Sequence, residues 1–168
     1  MDKNALRRMS YGVYIVTAKD GEKESGCTAN AAMQITSEPM TIAVSINREN
    51  YTNELIRAGG QFAISILAED GDPKQIGKFG FMSGRNKDKF AGIETLTVDG
   101  LKVMKDSCGY LTCKVIDTME TSTHTVFLGE VMTYHTEGVL REKPLTYAYY
   151  HEVLKGKSPK TAPTYLAD

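Results

Sequence analysis

The sequence predicts a mainly β fold: an antiparallel barrel, closed or split, with helices inserted one at a time. Three observations carry this expectation. Six or more short β-branched or aromatic runs recur, from residues 11–18 to residues 123–135. Asp20-Gly21, Asp99-Gly100 and Glu137-Gly138 punctuate them as turns. The helical segments come singly rather than after every strand, which disfavours the βαβ series of a doubly wound parallel sheet.

Residues 4–9 read as a short helix, with Asn4 as its cap and Leu6 and Met9 as its apolar edge. Residues 11–18 form the first strand, which Asp20-Gly21 turns back into a second. That second strand, residues 25–36, is unusual. It sets Gly26, Ala29, Ala31 and Ala32 among Thr28 and Asn30, where a core-filling strand would alternate large apolar with polar side chains. Small residues admit a flat ligand, and the hydroxyl and amide groups among them can fix its polar edge. The same residues also suit a tightly packed sheet crossing. The strand is expected to end near Pro39, which removes a ladder donor. Residues 40–47 alternate Ile42, Val44 and Ile46 as a third strand. Thr52 is the expected N-cap of the next helix, with Glu54 in its first turn and Gly59-Gly60 at its end. Arg48 stands just before that helix, a combination that suits a phosphate and equally an ordinary cap beside a solvated arginine.

Residues 61–67 make a fourth strand, and Asp72-Pro73 opens a helix that runs to about Met82. Residues 83–90 are a polar loop holding Arg85, Lys87 and Lys89, suited to an anionic group or to solvent. Short strands are expected at 95–98 and 102–104. Residues 108–117 and 123–135 are the last two strands, joined by a turn at 118–122. Residues 144–150 gather Tyr147, Tyr149 and Tyr150, more aromatic surface than a small core needs. Residues 156–165 carry Pro159 and Pro163 and read as an extended linker or an arm over a neighbour. The expected organisation is one domain over residues 1–155 and a tail over residues 156–168.

The 168 residues suit a single core, and 41% hydrophobic with 24% charged is ordinary for a globular chain. A formal net charge of -1 gives no reason to expect nucleic acid or an anionic membrane as partner. No apolar run reaches membrane-spanning length, and the N-terminus lacks a signal-peptide core, so a cytoplasmic protein is expected. The odd number of cysteines (Cys27, Cys108, Cys113) and the missing signal peptide argue against a disulfide framework, and none forms a C-x-x-C pair. His124, His135 and His151 show no zinc-type spacing, and no metal is expected. Cys27 reads as a small packing residue.

Several segments share an order that is more specific than any one of them. They are Tyr11-Gly-Val-Tyr-Ile-Val-Thr17, Gly26-Cys-Thr-Ala-Asn-Ala31, Pro39, Ser45-Ile-Asn-Arg48 with Thr52, Phe62-Ala-Ile-Ser-Ile-Leu67, Lys89-Phe90, Cys113-Lys-Val115, His124 within residues 123–131, and Pro144-Leu-Thr-Tyr147. This order resembles the flavin reductase-like, FMN-binding split-barrel family. Residues 79–85 and the tail bring the chain nearest to the flavoprotein module of high-molecular-weight rubredoxins and flavoredoxin-like proteins. The resemblance implies a mainly β, antiparallel six-stranded split β-barrel with a few inserted helices. It also implies a homodimer with non-covalent FMN near the subunit interface. By the same resemblance, Thr28, Ala29 and Asn30 meet the isoalloxazine edge, with Cys27 packed beside it. Asn47, Arg48 and Thr52 hold the phosphate or ribityl chain, and Ser83, Gly84 and Arg85 complete the phosphate end. His124 is the catalytic candidate beside the nicotinamide or flavin ring, and Tyr150 of the tyrosine cluster covers the ring. Ala31-Ala32-Met33 departs from the bulky aromatic or Ser-Phe pair found in many members.

The function this implies is an NAD(P)H-dependent flavin reductase. Hydride passes from NADH or NADPH to flavin, and electrons go on to free flavin, a small redox protein or oxygen. The alternative is a non-catalytic flavin-binding module for electron transfer or sensing. A third reading is a flavin-free barrel whose small-residue strand serves packing. The sequence stops at Asp168 without an iron-binding domain, so transfer to a fused rubredoxin is not expected and a separate one stays open as acceptor.

Overall fold

The structure, a computed structural model, describes residues 2–166. Met1, Ala167 and Asp168, which belong to the expected domain and tail, lie outside the described residues. In chain order the elements are α1 (Asn4–Arg7), β1 (Tyr14–Asp20), β2 (Lys23–Ala29), β3 (Ala32–Ser37), β4 (Met40–Asn47), α2 (Tyr51–Gly59) and β5 (Gln61–Ile66). Then come α3 (Pro73–Phe81), β6 (Thr95–Val98), β7 (Leu101–Met104), β8 (Gly109–Glu120), β9 (His124–His135) and α4 (Tyr147–Glu152).

Seven strands form one antiparallel sheet in the order β2-β1-β5-β8-β9-β4-β3, and β6 and β7 form a separate hairpin. β2 and β3 are consecutive in sequence yet lie at opposite edges of the sheet. Only Asn30 and Ala31 join them. Three Cα–Cα steps reach about 11 Å at most, so the sheet curls until its edges meet. No ladder joins β2 to β3, so the barrel is split at this seam. The mainly β, antiparallel split-barrel class is thus as expected. The small-residue stretch is two strands rather than one, which raises the main sheet to seven.

The barrel interior holds Val16, Ile42, Val44, Phe62, Ile64 and Phe127, with Leu55 and Ile56 of α2 packed into the same cluster. β1 alternates between this cluster (Val16, Ala18) and a second one outside the sheet, where Ile15 meets Ile76 and Phe79 of α3. Gly129 of β9 is the tightest point. A Cβ there would lie 2.6 Å from Cys113 Cβ and 2.7 Å from the Phe62 ring. Phe62 is fully buried, and it reaches the barrel centre because β9 has no side chain at that position.

Local differences from the expected elements have local causes. α1 begins after Lys3 rather than Asn4, and the Asn4 N–H donates to the Asp2 carboxylate at 2.9 Å. The N-cap of α2 is Asn50, whose Oδ1 accepts from the Thr52 N–H at 2.9 Å. α3 starts as expected, with Asp72 as cap and Pro73 in its first turn. β8 continues to Glu120 because pairing with β9 persists to Glu120 opposite Thr125. The tight Thr121–His124 closure follows, with Thr121 N–H and Oγ1 both donating to the His124 carbonyl at 2.9 Å. The tyrosine cluster is a short helix capped by Thr146. Among the described residues, no helix is long and apolar enough to cross a membrane.

Gly129→Ala is expected to overpack the barrel centre at a cost of about 1–3 kcal/mol. That predicts a thermal midpoint lower by roughly 2–10 °C. An unchanged midpoint by calorimetry would show that Phe62 and Cys113 yield freely.

Candidate functional site

The split in the sheet is where a cavity opens. Ala29 and Asn30 form one wall, and the end of β4 (Ser45, Asn47) with the cap residue Asn50 forms another. Gly80 and Phe81 of α3 and Tyr147 and Tyr150 of α4 complete an enclosure of about 70 Å³, which the tail covers. The small residues at its edge divide into two kinds. A Cβ at Gly26 would lie 3.0 Å from the Val16 carbonyl oxygen, and Thr28 Oγ1 donates to the Ile76 carbonyl at 2.8 Å. These two are small or hydroxylated so that strands and α3 can pack closely. Ala29 and Asn30 line the cavity, and Thr28, besides bonding α3, lines it too. Asn30 is buried, and its Oδ1 accepts no hydrogen bond while its Nδ2 donates to Thr164 Oγ1 at 2.5 Å. A buried acceptor left open beside a cavity is a place for a ligand N–H.

His124 opens β9 and stands directly opposite Asn47 in the ladder. Its Nε2 lies 3.1 Å from the Thr161 carbonyl, which only accepts, so this nitrogen carries the proton. Nδ1 then accepts from Thr123 Oγ1 at 2.8 Å. Burial lowers the His124 pKa below its ordinary value of 6.5, and the Thr161 carbonyl opposes that only in part. The imidazole is therefore a neutral N–H donor near pH 7. Asn47 Nδ2 donates to the same Thr161 carbonyl at 3.2 Å, so two donors from adjacent strands converge on one oxygen. On this side a second cavity of about 300 Å³ is walled by Thr121, Thr123, His124 and Lys160, and it shares Ser45, Asn47 and residues 161–163 with the first.

Of the residues singled out in the sequence, Cys27, Thr28, Ala29, Asn30, Asn47 and Tyr150 line the inner cavity, and His124 lines the outer one. Arg48, Thr52, Ser83, Gly84 and Arg85 line neither. Arg48 donates to the Ser122 carbonyl and lies 3.9 Å from Glu120, so it braces the β8–β9 turn. Thr52 is fully buried in the first turn of α2. Arg85 pairs with Glu54 through both terminal nitrogens and lies over the Tyr51 ring at 5.1 Å. Gly84 fits against β2, where a Cβ would fall 1.9 Å from Ser25 Oγ. These groups gather on the flank of α2 and do not close round the cavity.

The sequence reading gave no site role to Ser45 or the tail residues, named Tyr147 only within the tyrosine cluster, and placed Lys89 only in the 83–90 loop and the Lys89-Phe90 pair. Lys89 is buried, and its ammonium donates to the Gly26 carbonyl at 2.8 Å and the Phe79 carbonyl at 3.2 Å. Burial lowers its pKa, and burial also pushes the neighbouring Cys27 thiol up to about 11. Cys27 is thus a protonated wall residue with no thiolate at neutral pH. The sequence signals for Lys89 are its place in a polar loop and in the Lys89-Phe90 pair, and neither announces a buried ammonium.

A curled antiparallel sheet with a small-residue groove at its split defines a split-barrel protein. The chain belongs to the flavin reductase like domain family, whose description matches residues 6–153. It is 48% identical over 98% of its length to the high molecular weight rubredoxin of Moorella thermoacetica, 72% of which it covers. It is 37% identical over 99% of its length to the ferric-chelate reductase (NAD(P)H) of Archaeoglobus fulgidus, covering 98% of that protein. Among solved structures, the flavin reductase PheA2 in its native state superposes with a TM-score of 0.71 at 26% identity, over 87% of this chain and 93% of that one.

The depressed His124 pKa has a stability consequence. Between 6.5 and the folded value the unfolded chain binds more protons, so stability falls as pH drops through that window. His124→Gln is expected to lose less stability than the wild type between about pH 7 and pH 5 in urea unfolding. Equal losses would show that His124 is not held neutral in the folded chain.

Proposed function

We propose that the chain is an NAD(P)H:flavin oxidoreductase that holds FMN non-covalently in the groove at the barrel split. The observation that carries this is Asn30: a buried amide with an open acceptor on a small-residue wall, facing a cavity. The residues present fit a flavin. Ala29 and Cys27 leave room for a flat ring, and Asn30 offers both an acceptor and a donor to its polar edge. When bound, the flavin supplies hydride acceptance from nicotinamide. The protein's part is to bind, orient and exclude water. Asn47 Nδ2 and His124 Nε2 aim two donors at one point, suited to a ligand carbonyl or phosphate oxygen. Burial raises the Tyr150 pKa, so its phenol stays a donor and its ring a water-excluding cover. His124, neutral and bonded at both nitrogens, orients rather than transfers a proton.

On this reading residues 1–155 form the flavin-holding unit and residues 156–168 a tail. Arg48, Thr52, Ser83, Gly84 and Arg85 remain the proposed phosphate side, on the flank of α2. A homodimer is supported by the outer face of the sheet. There Met33 on β3 and Met119 on β8 are exposed, more apolar surface than a solvent-washed sheet carries. The proposed location is the cytoplasm. The acceptor is free flavin, oxygen or a small redox protein, and the likeness to a high molecular weight rubredoxin favours a rubredoxin-type iron protein. The same likeness supports the second reading, in which the bound flavin mainly relays electrons between proteins.

Anaerobic NADH or NADPH is expected to bleach the visible band of the FMN-loaded protein, and failure of both would leave only the relay reading. Asn30→Leu is expected to weaken FMN binding at least tenfold, about 1.4 kcal/mol, with the fold intact by circular dichroism. Unchanged stoichiometric FMN would refute this placement of the ring.

A further inference from the structure

We propose that residues 157–164 are a self-inhibitory strap: an internal ligand that occupies the flavin groove and must leave before the ring can enter. The inference rests on the flavin reading of the groove for the identity of the competing ligand. Its physical content is that the tail satisfies the groove's own recognition groups. Thr161 lends its carbonyl to Asn47 Nδ2 at 3.2 Å and to His124 Nε2 at 3.1 Å. Thr164 Oγ1 takes the Asn30 amide donor at 2.5 Å. Tyr150 donates its hydroxyl to the Lys157 carbonyl at 3.2 Å. Four side chains expected to meet a ligand are therefore spent on the tail of the same chain, three on its carbonyls and Asn30 on the Thr164 hydroxyl.

The base of the strap is latched. His151 Nδ1 lies 2.7 Å from the Gly156 carbonyl and so carries its proton there. Nε2 is then free to accept from Ser158 Oγ at 3.2 Å, and the Ser158 oxygen accepts from the Tyr147 hydroxyl at 2.5 Å. Gly156 passes directly beneath the Tyr150 ring, where a Cβ would fall 2.0 Å from a ring carbon. Beyond the latch, residues 161–163 lie in the wall shared by the inner and outer cavities. With the strap down the inner cavity is only about 70 Å³. Pockets for ring-sized ligands run to about 300–1,000 Å³. Lifting residues 161–164 removes that shared wall and frees the Asn30, Asn47 and His124 donors together. Strap residues Lys157, Lys160, Thr161 and Pro163 are solvent-exposed, so release uncovers little of the barrel core.

Competition lowers apparent affinity by the fraction of molecules with the strap lifted. The test uses the full chain freed of flavin. FMN binding is followed by flavin fluorescence for the wild type, for Thr164→Val, and for Gly156→Ala combined with Thr164→Val. In parallel, tryptic cleavage after Lys157 and Lys160 is timed with and without FMN. The expected result is FMN binding at least about threefold tighter in the variants, with wild-type cleavage accelerated by FMN. FMN that binds but slows cleavage, with weaker binding in the variants, would overturn the proposal and make the tail part of the bound site. FMN that binds and leaves cleavage unchanged would overturn it too, because the strap would then lie clear of the ring. Absence of FMN binding in every form would sink the flavin reading and the strap with it, an outcome distinct from the other two.

Discussion

The two-residue link between Ala29 and Ala32 constrains the rest of the molecule. It ties together strands that stand at opposite edges of a seven-stranded sheet. A sheet so tethered cannot remain open, and its right-handed twist supplies the curl that closure needs. The interior then fills with one layer of side chains around Phe62 and Phe127, and Gly129 is small because Phe62 needs its space. The link itself is the seam. Backbone groups at an unpaired edge meet there, and the Ser45 N–H reaches the Ala31 carbonyl at 2.9 Å to hold it.

The site follows from the same constraint. A seam without a ladder leaves room between β2 and the end of β4, and α3 and α4 roof that room. Lys89 secures the β2 side from behind through the Gly26 and Phe79 carbonyls, an arrangement that satisfies a buried ammonium and pins a loop, a strand and a helix at once. On the β4 side the ladder places His124 beside Asn47. Polar side chains on both sides thus face a space whose width the barrel sets. The tail fills that space with the Thr161 carbonyl and the Thr164 hydroxyl, which explains why so many groove donors are already bonded.

Much of this was legible in the sequence because the deciding forces were local. Alternation of Ile42, Val44 and Ile46 marked β4, and Asp72-Pro73 marked the start of α3. The small residues of β2 marked the groove wall, with Asn30 and Asn47 both in it. What was not legible depended on distant partners. The break at Asn30-Ala31 is imposed by sheet closure, and no local propensity announces it. Arg85 looked free for a phosphate, but its partner Glu54 lies 31 residues away. Thr52 and Asn50 are both good caps two residues apart, and the backbone chose Asn50. The tail reads as an extended linker or an arm, and no local signal announces its hydrogen bonds to Asn30, Asn47 and His124.

The central claim is that the seam between β2 and β3 is the flavin site and that the tail yields it. A crystal structure of the chain grown with FMN tests this most directly. The account predicts the isoalloxazine edge against Ala29 and Asn30, with residues 161–164 displaced from Asn30, Asn47 and His124. A flavin bound elsewhere, or bound with the Thr161 and Thr164 contacts intact, would contradict it.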